Sequence, residues 1–180
     1  FVLNPAIYAG KTNIMTVRDR QPLDMAYIAA LLRAEHEVRL LDANILGHDV
    51  DRTLEEITAF KPDVFVLTST PVNRWECPNS HIDSVYELIN RAGIENTILT
   101  GSHGSVTPEW MLRKCNAKYV VRGEPEMIVK NLVETIAAGG DAKTVKGISF
   151  REGDGFMHTE DAPRIENLDA LPFPAYDLLP

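Results

Sequence analysis

Cysteine is scarce in this chain of 180 residues: Cys77 and Cys115 stand far apart and form no C-x-x-C pair. Small secreted domains use many more, so a reducing cytoplasm is the expected compartment. Two thiols also cannot by themselves hold an iron–sulfur cluster or a structural zinc, so any metal chemistry must arrive with a cofactor or another domain. Basic clusters are missing as well, and the formal charge is −8. A nucleic-acid surface needs a basic footprint, which excludes that class of partner. No apolar run reaches membrane-spanning length and no signal-peptide pattern opens the chain. Nor is there an initiating methionine: "FVL" at Phe1 already reads as strand, as expected of a chain trimmed to its first structural element.

What is present is alternation. "FVLNPA" from Phe1 reads as strand one, "EVRLLD" ending at Asp42 as strand two and "DVFVLTS" ending at Ser69 as strand three. "TILTG" from Thr97 reads as strand four and "KYVVRG" from Lys118 as strand five. Between them lie helical patterns: Asp24 to His36 with Asp24 as N-cap, Asp51 to Phe60, His81 to Arg91, a short helix after Pro108, and "PEMIVKNLVETIAAGG" from Pro125. Strict alternation predicts a parallel sheet covered on both faces, and right-handed crossovers make it doubly wound. The expected fold is α/β and flavodoxin-like, a five-stranded parallel sheet of order 2-1-3-4-5. That domain spans residues 1–146. "GISFREGDGFMHTE" over 147–160 reads as a β-hairpin turning at "GDG", and the proline-rich 161–180 as an extended linker.

In such a sheet ligands bind beyond the carboxyl ends of the strands, where the strand order reverses. The lining loops are then Asn4 to Leu23, Thr68 to Asn79 and Gly101 to Pro108. Familiar phosphate loops fail there. "GKT" at Gly10 to Thr12 would complete a P-loop only with glycine where Pro5 stands, and no G-x-G-x-x-G follows strand one. "NPAIYAG" is not a Ser/Thr-rich flavin phosphate loop. Thr68 and Ser69 replace the acidic residue that a response-regulator receiver carries at the end of strand three.

Taken in order, "LNPAI", "PLDMAYIAALLRAEHEVRLLDAN", "PDVFVLTST", "LTGSHGSVTPEWML", "YVVRGEPE", "GISFR" and "PRIENLDALPFPAYDLLP" resemble the N-terminal cobalamin-binding domain of cobalamin-dependent radical SAM enzymes. The resemblance covers nearly the whole chain and stops short of the radical SAM barrel with its C-x-x-x-C-x-x-C loop. It implies a cobalamin-binding module, inert alone, whose parent enzyme also uses S-adenosylmethionine and a [4Fe-4S] cluster, with methyl transfer as the commonest chemistry. The implied partners are cobalamin and the C-terminal radical SAM domain of the same chain.

"DANILG", Asp42 to Gly47, has the outline of the corrinoid motif D-x-H-x-x-G with Asn44 in place of histidine. In methionine-synthase-type domains that motif follows strand one, whereas "DANILG" follows strand two, and the loop from Asn4 to Leu23 contains no histidine. The match is a coincidence. The resemblance therefore implies cobalamin bound base-off and without a histidine ligand, its nucleotide tail threaded between the loops after strands one, three and four.

Carried over to this sequence, the implied contacts begin with Asn4 and Pro5 after strand one and with Pro22 and Leu23 before helix one. Thr68, Ser69 and Thr70 follow at strand three, a threonine hydroxyl bonding the benzimidazole nitrogen. Gly101, Ser102, His103 and Gly104 belong to the strand-four loop, and Gly123 and Glu124 to the rim after strand five. Ser102 replaces the second glycine of the family's pair, Asp24 a usual glycine after "PL", and Pro125 the glycine of "RGEGE". Plainer accounts stand beside these. His103 also reads as a polar loop residue, Thr68 as a strand end, Arg122, Glu124 and Glu126 as complements to a helix N-terminus, and His36 and His48 as solvated. Trp75 fits either a corrin shield or a surface met by another domain, and Cys77 a loop thiol. The competing reading for the whole chain is a degenerate α/β docking module that binds no cofactor.

Overall fold

A computed structural model describes residues 1–5, 21–69 and 82–180. These form the strands β1 (Val2–Asn4), β2 (Leu40–Asp42), β3 (Val64–Thr68), β4 (Asn96–Thr100), β5 (Tyr119–Val121), β6 (Ile148–Glu152) and β7 (Gly155–His158). The helices are α1 (Leu23–Leu32), α2 (Val50–Phe60), α3 (Asp83–Ala92), α4 (Ser102–Val106), α5 (Pro108–Lys114) and α6 (Pro125–Ala137). One sheet runs β2-β1-β3-β4-β5-β6-β7. Its first four pairings are parallel, and β5–β6 and β6–β7 are antiparallel. The expected sheet of five strands is thus corrected to a mixed sheet of seven.

The reason lies at β5. A bare parallel edge there would leave a ladder of unpaired backbone groups, and β6 covers it. Ile148 and Ser149 are fully buried in the process, and Phe150 packs edge-on against Tyr119 with ring centroids 6.0 Å apart. Sequence alternation within "GISFRE" shows a strand, but not that both of its faces are covered.

Side chains alternate across the sheet and sort the core into two layers. Val2, Val66, Ile98 and Val121 meet α1 and α6 on one face. Leu3, Leu67, Leu99 and Val120 meet the residues of α2, α3 and α5 on the other. Because α1 covers one face while α2 and α3 cover the other, the chain reverses its winding between β1 and β3. That reversal opens the crevice at the carboxyl ends of these strands.

Helix starts differ from expectation at one place that matters. Pro22, not Asp24, is the N-cap of α1, and Asp24 lies inside the first turn, buried. At α2 the cap is Asp49, whose side chain accepts from Arg52 N at 2.8 Å. The segment 161–180 is laid against the domain. Ala175 N donates to Ala26 O of α1 at 3.0 Å, Ala175 is 1% exposed, and Arg33 pairs with Asp177 at 2.8 Å. Among the described residues no helix is long and apolar enough to cross a membrane.

Candidate functional site

The strand ends build the site. Thr68 pairs in register with Thr100, and Asn4 with Asp42, one residue beyond the Leu3–Leu67 pair. Asn4, Thr68 and Thr100 each sit two residues after a side chain of the α1/α6 layer, so all three point to that face. They form a buried polar row at the carboxyl ends of β1, β3 and β4, at 3%, 0% and 0% exposure. Asp24, in the first turn of α1 on the same face, adds a fourth buried polar group.

Hydrogen bonding within the row is one-sided. Asn4 Nδ2 donates to Asp42 Oδ1 at 2.8 Å, while Asn4 Oδ1 is buried with no partner among the described residues. Asp24 Oδ1 is orphaned in the same way. Ser69 Oγ donates to Thr100 O at 2.9 Å and Thr100 Oγ1 to Leu67 O at 3.3 Å. Buried polar groups are nearly always satisfied, so two orphaned acceptors at a topological switch point mark a place for a ligand or ordered water.

Electrostatics single out the same corner. Burial, with Glu126 adding to it, raises the Asp24 carboxyl from 3.8 to about 6. Glu126, in the first turn of α6, is raised as well, mainly by burial and then by Glu124. Neither Asp24 nor Thr100 was a contact expected from sequence. Thr100 ends "TILT" as Thr68 ends "FVLT", and that parallel was the available signal.

The expected contacts divide accordingly. Asn4, Pro5, Pro22, Thr68 and Ser69 are buried at the row, and Leu23 is exposed at its edge. Gly101 directly follows β4 with φ 106 and ψ 173, a conformation essentially reserved for glycine. Ser102 and His103 open α4, exposed and half-buried respectively. Gly104 serves packing: a Cβ there would lie 2.9 Å from Val120 Cγ1 and 3.1 Å from Val121 O, so its absence seats α4 on β5. Gly123 and Glu124 lie two strands from β3, about 10 Å across the sheet. There Gly123 N donates to Ser105 Oγ at 3.0 Å and Glu124 accepts from Ile165 N at 2.9 Å. Thr70, Trp75, Cys77 and the "GKT" segment lie outside the described residues.

Asp42 explains "DANILG". Its Oδ1 accepts from Asn44 N at 3.1 Å and Ile45 N at 3.2 Å as well as from Asn4, so it turns the chain and orients the Asn4 amide. His36 and His48, expected in solvent, are half-buried, each with one ring nitrogen unpaired among the described residues. A second constellation has the outline of a nucleophile, a base and an acid. His158 Nδ1 lies 2.8 Å from Ser149 Oγ, and His158 Nε2 lies 3.3 Å from Glu109 Oε1. Ser149 is 0% exposed and sits inside the sheet, between Val120 of β5 and His158 of β7, away from the crevice at the strand ends. The trio pins β7 to β6 and α5. Among the described residues no cluster of His, Cys, Asp and Glu could hold a metal ion.

Residues 15–133 match the family model of the B12 binding domain. The chain belongs to that family. As a B12 binding domain it is 33% identical over 166 residues to an uncharacterized methyltransferase of Pyrococcus horikoshii, covering 88% of this chain and 34% of that protein. It is 28% identical over 157 residues to an anaerobic magnesium-protoporphyrin IX monomethyl ester cyclase of Synechocystis, covering 82% and 30%. The chain thus spans about a third of the length of these relatives. In fold it is similar to the cobalamin-dependent S-adenosylmethionine radical enzyme OxsB with aqua-cobalamin bound, at a TM-score of 0.69 and 20% identity, over 98% of this chain and 24% of that one. It is likewise similar to the radical S-adenosylmethionine methyltransferase TsrM of Kitasatospora setae, at a TM-score of 0.68 and 18% identity, over 88% and 29%.

Proposed function

We propose that this B12 binding domain holds cobalamin base-off, with no histidine on cobalt and with the nucleotide tail threaded into the crevice between β1, β3 and β4. The supporting observation is the buried polar row of Asn4, Thr68, Thr100 and Asp24, two of whose acceptors have no partner among the described residues. These residues fit a corrinoid tail: they supply polar contacts inside the protein, and Gly101 leaves the β4 end bare of a side chain. The loop over residues 5–22 contains no histidine to reach the metal. Asn4, Pro5, Pro22 and Leu23 would bound one side of the tail, Thr68, Ser69 and Thr70 its floor, and Gly101, Ser102 and His103 the other side. Gly104 would hold that last segment in place, and Gly123 and Glu124 would lie at the outer rim.

In the larger enzyme this chain would be the cofactor-carrying domain, its partner a radical SAM domain with S-adenosylmethionine and a [4Fe-4S] cluster. When bound, cobalamin supplies cobalt-centred chemistry, of which methyl transfer is the kind proposed here. The residues of this chain bind the group, orient it and keep water from its tail. The likeness to relatives whose names describe methyltransferases and cobalamin-dependent radical enzymes supports that reading.

The test is spectroscopic. Hydroxocobalamin is mixed with the purified chain, which is then desalted, and the visible spectrum is recorded at neutral pH. Retained corrinoid with a base-off spectrum, weakened by Thr68→Val, is the expected result. A base-on spectrum contradicts the threaded tail, and a colourless protein returns the docking-module reading.

A further inference from the structure

We propose that the tail pocket selects a cobamide whose lower base carries an N–H donor, an aminopurine such as adenine, over one bearing dimethylbenzimidazole. The inference rests on the threaded, base-off reading above and adds the chemical class of the base.

The donors and acceptors on the row decide which base it suits. The two hydroxyl protons that can be traced are spent inside the protein, Ser69 Oγ on Thr100 O at 2.9 Å and Thr100 Oγ1 on Leu67 O at 3.3 Å. The Asn4 amide cannot turn its nitrogen toward the crevice without losing Asp42 Oδ1 at 2.8 Å, and Asp42 is itself fixed by Asn44 N and Ile45 N. Among the described residues, what Asn4 leaves over is Oδ1, an acceptor, at 3% residue exposure. Asp24, 6% exposed, has Oδ1 without a partner among the described residues, a second acceptor. Glu126 nearby, its carboxyl raised mainly by burial, adds further oxygens, and at pH 7.5 Asp24 lies above its raised value of about 6.

Dimethylbenzimidazole released from cobalt offers one ring-nitrogen acceptor and two methyl groups, and no N–H. Its ring nitrogen would take the contact assigned above to Thr68, but with no N–H it would leave Asn4 Oδ1 and Asp24 Oδ1 unpaired. An adenine base carries an exocyclic amino group with two N–H bonds, enough for both acceptors. A buried acceptor left unsatisfied costs more than an ordinary hydrogen bond gains. The expected preference is therefore about tenfold for one oxygen satisfied and about a hundredfold for two.

The experiment titrates the chain at pH 7.5 with the aqua forms of adeninylcobamide and cobalamin and reads both Kd values from the visible spectrum. The proposal expects adeninylcobamide to bind at least about tenfold tighter. In Asp24→Leu and, separately, in Asn4→Leu, that advantage should shrink several-fold, so that one folded variant suffices. Equal affinity, or tighter binding of cobalamin, overturns the proposal while leaving the cobalamin-binding reading intact. A purine preference unchanged in the variants overturns its assignment to these oxygens. If neither cobamide binds, the proposed function falls and this inference falls with it.

Discussion

Asp24→Asn should stabilise the chain at pH 7.5 by on the order of 3 kcal/mol, and by almost nothing at about pH 3. The carboxyl is buried in the first turn of α1, with Oδ1 unpaired among the described residues, and its folded value of about 6 stands about two units above the 3.8 of an exposed aspartate. A raised carboxyl favours the folded state only while it is protonated. Below about pH 3 the group is neutral in folded and unfolded chains alike and costs nothing. From there to about pH 6 the unfolded chain ionises more readily than the folded one, and stability falls; by about pH 7 the loss is complete. Asparagine keeps the shape and removes the charge, so its advantage should grow across that window and then level off. Urea unfolding of both proteins at half-unit pH steps measures this. An advantage independent of pH would assign the effect to packing instead. That the natural chain carries such a group fits a site where stability is given up for a ligand contact.

Gly101→Ala is expected to destabilise the chain by about 1–3 kcal/mol and to release bound corrinoid more than that loss explains. Gly101 links the end of β4 to α4 at φ 106 and ψ 173, where any Cβ meets the backbone. Alanine would push the segment toward an extended conformation and move Ser102 and His103, whose helix is seated on β5 by the close contact of Gly104 with Val120. The consequence lands on the crevice, because Gly101 directly follows Thr100 of the polar row. Thermal unfolding gives the first effect, and cobalamin retention well below the melting temperature gives the second. A variant that melts lower yet retains cobalamin like the parent would place Gly101 outside the site.

The strand "VFVLT" was legible as a short run rich in β-branched and aromatic residues, and the helix "VDRTLEEITAF" by the helical spacing of its apolar residues. The edge was less so: "GISFRE" alternates like any hairpin strand, and only the unpaired ladder of β5 decides that it joins the sheet. The helix α4 is five residues long, too short to show a period at all. Asp24 misled for a physical reason. Aspartate before an apolar helix reads as a cap, but Pro22 takes that position and carries Asp24 into the buried first turn. The polar row depends on register, which brings Asn4, Thr68 and Thr100 from three strands to one level. The family resemblance named Asn4 and Thr68 and passed over Thr100.

The central claim is that the nucleotide tail, and not the corrin ring alone, is held by this row. Comparing hydroxocobalamin with cobinamide, which has the ring but no nucleotide tail, tests it most directly. The account predicts that cobinamide binds at least about a hundredfold more weakly, equivalent to about 2.7 kcal/mol of tail contact, and that it washes out on desalting. Equal Kd values for the two would contradict a buried tail and leave the row of Asn4, Thr68, Thr100 and Asp24 without its ligand.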